Sequence, residues 1–371
     1  MTRPLLSATI IARDEEGFLP GCLASLEGVA DEVVVTDTGS VDRTVEIARG
    51  AGARVFFHRW NGSFADARNA ALEHARGDWI LYIDADERVV GGAPPGFHDR
   101  LGEPDLAALT VRFRPSAGHT RYRENRLFRR HPQIRFRGVM HESHLPALRE
   151  LLSQEPYRAG DSELAIDHLG YDGPMERKHH RNLPLLKKRL ASDPTHVYSW
   201  AHLGDTLMGL GRAEEAEAAW LEGLEVVRAK QVTSTLDSLP YFALIRSRRS
   251  RGVDVSALLE EVWHRFPSHP QVRWLRAQDL MSRGRHEEAA ELLRDLAAID
   301  SSDVVSLQVA HDERLFDVWA PESLGLCLFR LERYAESAHW FAKACAAEPS
   351  PERKARLRIA QARARRQPLL H

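Results

Sequence analysis

The stretch WILYIDADE, residues Trp79 to Glu87, runs five apolar or aromatic side chains straight into three acidic residues, two of them separated by one alanine. An unbroken apolar run of this length that stops at a polar turn predicts a strand buried on both faces. Carboxylates this close repel one another. They raise each other's pKa, stay in water, or take up a cation. On these residues alone, a solvated Asp-rich turn is as good a reading as a site.

Upstream of it, strand and helix signals alternate. Leu6 to Ala12 reads as a buried strand, and Glu16 to Leu26 as a helix with Leu19, Leu23 and Leu26 on one face. Glu32 to Thr36 is a β-branched strand that ends at Asp37. Val41 to Arg49 reads as a helix capped by Ser40 or Asp42, Arg54 to Phe57 as a third strand, and Phe64 to Ala75 as an Ala-rich helix. Short strands separated by helices imply βαβ units and a mainly parallel sheet. Ligands of such sheets sit beyond the carboxyl ends of the strands. Asp37 and Asp84-Ala85-Asp86 both fall there, so they are expected to share one crevice.

Downstream, Gly91 to Pro104 is rich in Gly and Pro and reads as a loop. Leu106 to Phe113 and Ile134 to Phe136 read as strands, set among nine arginines between Arg112 and Arg137. From Met175 on, helices follow one another, and a repeat emerges. Trp200 to Gly204 with Gly211, Ala216 and Trp220 has the tetratricopeptide spacing of large, Leu-Gly, Gly, Ala and aromatic positions. Ala277, Leu280, Gly284, Ala289 and Leu293 repeat it, as do Leu324-Gly325, Leu328, Tyr334, Phe341, Ala344 and Pro349. The expected organisation is an α/β domain over residues 1–174 and an all-α repeat domain over 175–371, with units near 197–228, 270–300 and 318–350. Leu239 to Phe266 reads as a further hairpin, and Lys354 to Arg366 as a basic helix capping the stack.

The chain has 371 residues, 43% apolar and 28% charged, with a formal net charge of -2. That balance gives no electrostatic reason to expect nucleic acid as a partner. Three widely spaced cysteines, Cys22, Cys327 and Cys345, have no metal spacing and suit a reducing, cytoplasmic setting. The N-terminal apolar run soon meets Arg13, Asp14, Glu15 and Glu16, too soon for a membrane span, so no transmembrane segment is expected. Gly-x-Gly-x-x-Gly, Walker and Gly-x-Ser-x-Gly patterns are missing, which removes the main support for dinucleotide, P-loop and serine-hydrolase readings.

Five blocks in order carry a family resemblance: TIIARDEEGFLPGCLASL with DEVVVTDTGS, FADARNAALEHARGDWILYIDADE, ENRLFR, FRGVMHE and IDHLGY. Together they resemble the family 2 glycosyltransferases of the GT-A fold, in the subgroup with C-terminal tetratricopeptide repeats. The resemblance implies a Rossmann-like nucleotide-diphospho-sugar transferase domain and, position by position, a site. Asp37 would read the nucleobase and ribose. Thr9, Ile11, Arg13 and Glu15 would pack around the nucleoside, and Arg68 would contact the nucleotide. Asp84, Ala85 and Asp86 would be the DXD motif, with Asp84 at the ribose and Asp86 on a divalent metal, Mn²⁺ or Mg²⁺. His168 would complete the metal site, Glu142 would be the catalytic base, and UDP would be the donor nucleotide. His141 ranks below His168 as a metal or acceptor contact, and Glu87 is left to a supporting or solvent-facing place. Asp14 stands where the family commonly has Asn. Val41 stands where it has Thr or Ser, at the expected cost of a helix-cap hydrogen bond.

The residue chemistry agrees with these roles. A departing diphosphate needs a cationic clamp, and a hard divalent ion suits carboxylates. A base on the face opposite the leaving group gives inversion at the anomeric carbon. Each residue also has a simpler reading: Asp37 in a turn, Glu142 paired with an arginine, His168 as a structural histidine, Arg68 on a helix surface. The ENRLFR arginines read as structural, with one able to reach the diphosphate. The acceptor, a peptide, protein or glycan, would be held by the repeat domain, whose exposed edge also allows a homodimer. Against this enzyme stand a catalytically inactive repeat scaffold and a nucleotidyltransferase. The acidic loop after the first strand argues against the nucleotidyltransferase.

Overall fold

The computed structural model describes residues 5–170, 175–306 and 309–367. Tyr171 of the IDHLGY block and position 174, where the first domain is expected to end, lie outside the described residues. The chain forms two compact units, residues 1–117 with 121–228 and residues 118–120 with 229–371. The hairpin at 197–228 thus falls in the first unit.

In the first unit the elements run β1 (Leu6–Ala12), α1 (Leu19–Ser25), β2 (Glu32–Asp37), α2 (Thr44–Gly50), β3 (Arg54–Phe57), α3 (Phe64–His74), β4 (Trp79–Tyr82), β5 (Glu87–Val90), α4 (Phe97–Leu101), β6 (Leu106–Arg114), β7 (Arg121–Arg129), α5 (Leu145–Gln154), β8 (Arg158–His168), α6 (Met175–Ser192), α7 (Val197–Gly209) and α8 (Ala213–Ala229). The strands order as β3-β2-β1-β4-β7-β6-β8-β5. The first four are parallel, as the apolar runs predict. The rest make the sheet mixed: β7 is antiparallel to β4 and β6, β8 is parallel to β6, and β5 is antiparallel to β8. The strand order reverses between β1 and β4, which is where an open α/β sheet leaves a crevice at its carboxyl edge.

Apolar layers cover both faces. Leu19, Cys22, Leu23 and Leu26 pack with Leu6, Ile10, Trp79 and Leu81 on one face. Ala65 and Leu72 of α3 and Leu148 and Leu151 of α5 pack with Ile80 and Phe128 on the other. Ile134 and Phe136 belong to this second layer and do not form the expected strand. Their apolar alternation reflects packing, and the side-chain amide of Asn69 takes the place of a ladder partner. It accepts from the Phe136 N–H at 2.9 Å and donates to the Phe136 carbonyl at 3.0 Å.

β7 and β8 carry the charged residues that hide their strand character. Arg123 pairs with Glu163 at 2.8 Å and Arg121 with Asp167 at 2.6 Å, so the basic segment is matched by carboxylates of β8. In the same unit, α7 meets α8 through Gly204, where a Cβ would overlap the Trp220 indole. Only glycine allows that approach.

The second unit is helical: α9 (Leu239–Ser250), α10 (Ser256–Arg265), α11 (Pro270–Ser282), α12 (His286–Ala298), α13 (Ala320–Arg330), α14 (Tyr334–Ala347) and α15 (Pro351–Arg366). A core of Ala277, Leu280, Ala289, Leu293, Leu324 and Leu328 joins α11, α12 and α13. Gly325 repeats the Gly204 device, because a Cβ there would press on the Phe341 ring.

Candidate active site

The turn after β4 is closed by its own acidic residues. Glu87 accepts the Asp84 N–H at 2.8 Å, and the Glu87 N–H donates back to the Asp84 carbonyl at 3.0 Å. Glu87 does not face solvent: it is 1% exposed and clamped by Arg126 at 2.9 and 3.2 Å. Burial raises its carboxyl to about 7, against the pull of Arg126. Arg126 sits over the Tyr82 and Phe113 rings, 4.6 and 4.7 Å from their centroids. It thus serves the turn as a buried counter-ion. Removing one partner of such a pair strands the other, so Arg126→Met should cost ~3–5 kcal/mol. Guanidinium unfolding followed at the aromatic residues of the first unit measures this.

Antiparallel pairing of β5 with β8 sets Glu87 opposite His168 and brings that histidine to the same turn. His168 Nε2 lies 3.2 Å from Asp86 Oδ2, and its Nδ1 is 2.9 Å from the Pro115 carbonyl. That carbonyl can only accept, so Nδ1 carries the proton and Nε2 faces the carboxylate. Burial disfavours a charged ring, but the Asp86 hydrogen bond and charge outweigh it and raise the His168 pKa. Gly170 closes the turn's other side, where a Cβ would overlap the Asp86 carboxylate. Its carbonyl accepts from Lys178 of α6.

Glu15, on the loop after β1, completes the acidic group. Burial first, then the negative charge of Asp86, raises it to about 7. A carboxyl whose native pKa lies above its unfolded value adds stability below the unfolded pKa and loses it as pH rises through the native one. In the EDTA-treated protein Glu15→Gln should therefore raise Tm at pH 8 by ~2–4 °C, the effect of about 1 kcal/mol. The gap should close near pH 4.5. Paired melting curves at the two pH values check the sign.

Arg68 is not on a helix surface. It is 8% exposed and bridges two acids, with Nε donating to Glu142 Oε1 at 2.6 Å and Nη2 to Asp84 Oδ1 at 2.8 Å. The bridge keeps the Asp84 pKa low although burial acts the other way. Asn69, the next residue, pins the segment that leads to Glu142.

Asp37 is 2% exposed, and its Oδ1 accepts the N–H groups of Gly39 and Ser40 at 3.0 and 3.1 Å, as a turn residue would. It also lines a cleft of about 450 Å³ with Arg13, Thr38, Gly39, Phe57, His58, Arg59 and Trp60. Phe57 is 66% exposed there. His58 Nε2 is buried without a hydrogen-bond partner among the described residues. Thr9 is buried in the body of β1, Ile11 is half-buried in the same strand, and Ala85 is buried in the turn.

Asp14 adopts φ 56°, a left-handed position that Asp and Asn tolerate better than most residues. Its N–H donates to Ser40 Oγ, and its carboxylate accepts the Val41 N–H at 2.8 Å. Asp42, rather than Ser40, holds the start of α2, accepting the Thr44 N–H at 2.9 Å. Val41, 92% exposed, therefore lacks only an exposed side-chain polar group.

Glu15, Arg68, Asp84, Asp86, Glu142 and His168 thus form one group, with Arg13 and Asp37 on a cleft of the same unit. Sequence reasoning missed the aromatic lining of that cleft, the Arg126 clamp and Gly170. Among the described residues, no set of three His, Cys, Asp or Glu side chains is arranged to hold a metal ion by itself, and no helix is long and apolar enough to cross a membrane.

Comparison with known proteins agrees with the sequence resemblance. A TPR repeat-containing protein of Synechococcus elongatus is 36% identical over 263 residues, which cover 68% of this chain and 64% of that protein. The SPbeta prophage-derived glycosyltransferase SunS of Bacillus subtilis is 23% identical over 302 residues, 75% of this chain and 67% of that protein. The chain therefore spans about two thirds of the length of these relatives. Among solved structures, glucosyl-3-phosphoglycerate synthase from Mycobacterium tuberculosis, in complex with Mn²⁺, UDP and phosphoglyceric acid, has 18% identity and a TM-score of 0.35, covering 51% of this chain and 78% of that one. Residues 7–154 match the family model described as Glycosyl transferase family 2, and residues 253–304 match Tetratricopeptide repeat. Residues 7–154 thus form a family 2 glycosyltransferase domain, and a helical region with a tetratricopeptide match follows it.

Proposed function

We propose that the chain moves a sugar from a nucleotide-diphospho-sugar, with UDP as the nucleotide, onto a peptide, protein or glycan acceptor with inversion at the anomeric carbon. The observation that carries this reading is the Arg68 bridge, which ties Glu142 and Asp84 to one guanidinium at 2.6 and 2.8 Å. A candidate base and the first Asp of the DXD turn are thereby held on one crevice.

Asp37, Arg13 and the Phe57–Trp60 segment receive the nucleoside. A base stacked on the exposed Phe57 ring would lie beside His58 and Trp60. Asp86 and His168 are the residues that would hold a divalent ion. The crowding of Asp84, Asp86 and Glu15 fits a cation, and an ion such as Mg²⁺ keeps water and phosphate oxygens in its remaining positions, so two protein ligands suffice. When bound, the ion supplies charge for the departing diphosphate. Arg68 accounts for one Glu142 oxygen and leaves Oε2 to take the proton of the acceptor nucleophile. The repeat helices hold or recruit the acceptor, and the three free cysteines accord with a cytoplasmic setting.

The test is a panel of UDP-glucose, UDP-galactose, UDP-N-acetylglucosamine and UDP-N-acetylgalactosamine with Mn²⁺ and no acceptor, assayed for slow hydrolysis. Hydrolysis of one donor, lost in Asp86→Ala, supports the reading. Failure to bind or hydrolyse any of them would sink it.

A further inference from the structure

We propose that His141, Ser199 and His196 form a hydrogen-bond chain that fixes the direction of Glu142, which makes α7 a positioning element of the transfer site. The inference rests on the reading of Glu142 as the base. It gives His141, singled out in the sequence as a metal or acceptor contact, a different task.

The segment carrying Glu142 is a short closed loop. Arg137 and Ser143 exchange both backbone hydrogen bonds at 3.0 Å, and the Phe64 N–H donates to the Val139 carbonyl at 3.0 Å. Within the loop, Gly138 has φ 103° and His141 has φ 50°. Left-handed backbone is ordinary for glycine. Histidine takes it more readily than most residues, yet at a cost that its surroundings must offset. What holds His141 is α7. Its ring centroid lies 4.6 Å from that of Tyr198 and 4.8 Å from that of His202, and its Nδ1 lies 3.1 Å from Ser199 Oγ. Ser199 is completely buried.

The proton positions in this chain follow from counting donors. The Ser199 N–H is shared between the His196 carbonyl at 3.0 Å and His196 Nδ1 at 3.3 Å, so that nitrogen is an acceptor. Ser199 Oγ lies 2.8 Å from the same nitrogen and must direct its one hydroxyl proton there. The oxygen can then only accept from His141, which fixes His141 as the neutral tautomer with its proton on Nδ1. Burial, reinforced by the neighbouring imidazoles, pushes His141 well below its ordinary pKa and lowers His202 to about 4. The chain is therefore uncharged and acts by direction alone.

His141 and Glu142 share a peptide bond, so the left-handed turn at His141 sets where the Glu142 side chain starts. Arg68 fixes where it ends. Releasing the first constraint lets the carboxylate shift while the donor residues stay in place, and a displacement near 1 Å costs about a hundredfold in rate.

The test uses the full-length protein, Mn²⁺, and whichever of the four UDP-sugars it hydrolyses fastest, with UDP binding measured by calorimetry. Ser199→Ala and His141→Ala should each lower kcat by about 10- to 100-fold with UDP affinity within about twofold of wild type. His141→Asn tolerates the left-handed backbone and keeps a side-chain N–H, so it should recover most of the rate, whereas a purely structural role would not single it out. Rates within about twofold of wild type in both alanine variants would overturn the chain, as would parallel losses of kcat and UDP affinity that His141→Asn fails to repair. Glu142→Gln separates the two failures. A wild-type rate there overturns the base assignment itself. An inactive Glu142→Gln beside a fully active Ser199→Ala overturns only the chain.

Discussion

Asp86→Ala is expected to lower donor turnover by about 10³-fold or more while the protein remains folded, since losing one element of charge stabilisation commonly costs 10²–10³ and the proposed role of this residue is to hold the ion as a whole. The fold should survive because Asp86 is a source of repulsion in the metal-free protein: its charge helps raise Glu15 to about 7. Its backbone contribution, the carbonyl that accepts the Leu169 N–H at 2.8 Å, is untouched by the substitution. His168 loses the partner that raises its pKa but keeps the Pro115 carbonyl. The same hydrolysis assay, run beside a melting curve, separates loss of chemistry from loss of fold. A turnover within tenfold of wild type would remove Asp86 from the site.

Glu142→Gln should lose transfer by about 10²- to 10⁴-fold, the range of a positioned general base, and keep UDP binding. Glutamine still offers Arg68 an oxygen in place of the 2.6 Å contact, and Asp84 remains as the counter-charge of the guanidinium. The substitution therefore removes a proton acceptor without stranding a buried cation. Glu142→Ala is the less informative change, because it also removes one of the two anchors of Arg68. Product formation at saturating donor reads the first effect and calorimetry the second. If transfer survives, another carboxylate takes the proton, and Glu15 is the next to test.

What could be read in the sequence, and what could not, follows the range of the interactions. β1, β2 and β4 announce themselves as apolar runs buried over most of their length, the edge strand β3 as a short apolar run that leaves Phe57 exposed, and the paired Gly and aromatic positions of the repeats announce close helix packing. β7 and β8 do not, because their arginines and carboxylates are satisfied by one another across the sheet, and no local pattern shows that Arg123 will meet Glu163. Ile134 and Phe136 mislead for the converse reason: an apolar alternation arises from packing beside a loop whose backbone is held by Asn69.

The candidate site divides in the same way. Asp37 and Asp84 to Asp86 can be placed from strand ends alone. The meeting of His168 with Asp86 depends on the register of β5 against β8, and the bridge from Arg68 to Glu142 on a loop closed elsewhere. Glu87 shows the limit most clearly. An acidic residue five positions after a buried strand looks solvent-facing until Arg126, nearly forty residues later, is seen lying over the Tyr82 ring to meet it.

The central claim is that this crevice binds a nucleoside diphosphate together with a divalent ion through Asp86 and His168. Calorimetric titration of UDP into the protein, with Mn²⁺ and again with EDTA, tests it most directly. Saturable binding that requires Mn²⁺ and disappears in Asp86→Ala is the predicted result. Equal UDP affinity in EDTA, or undiminished Mn²⁺-dependent binding in Asp86→Ala, would contradict it.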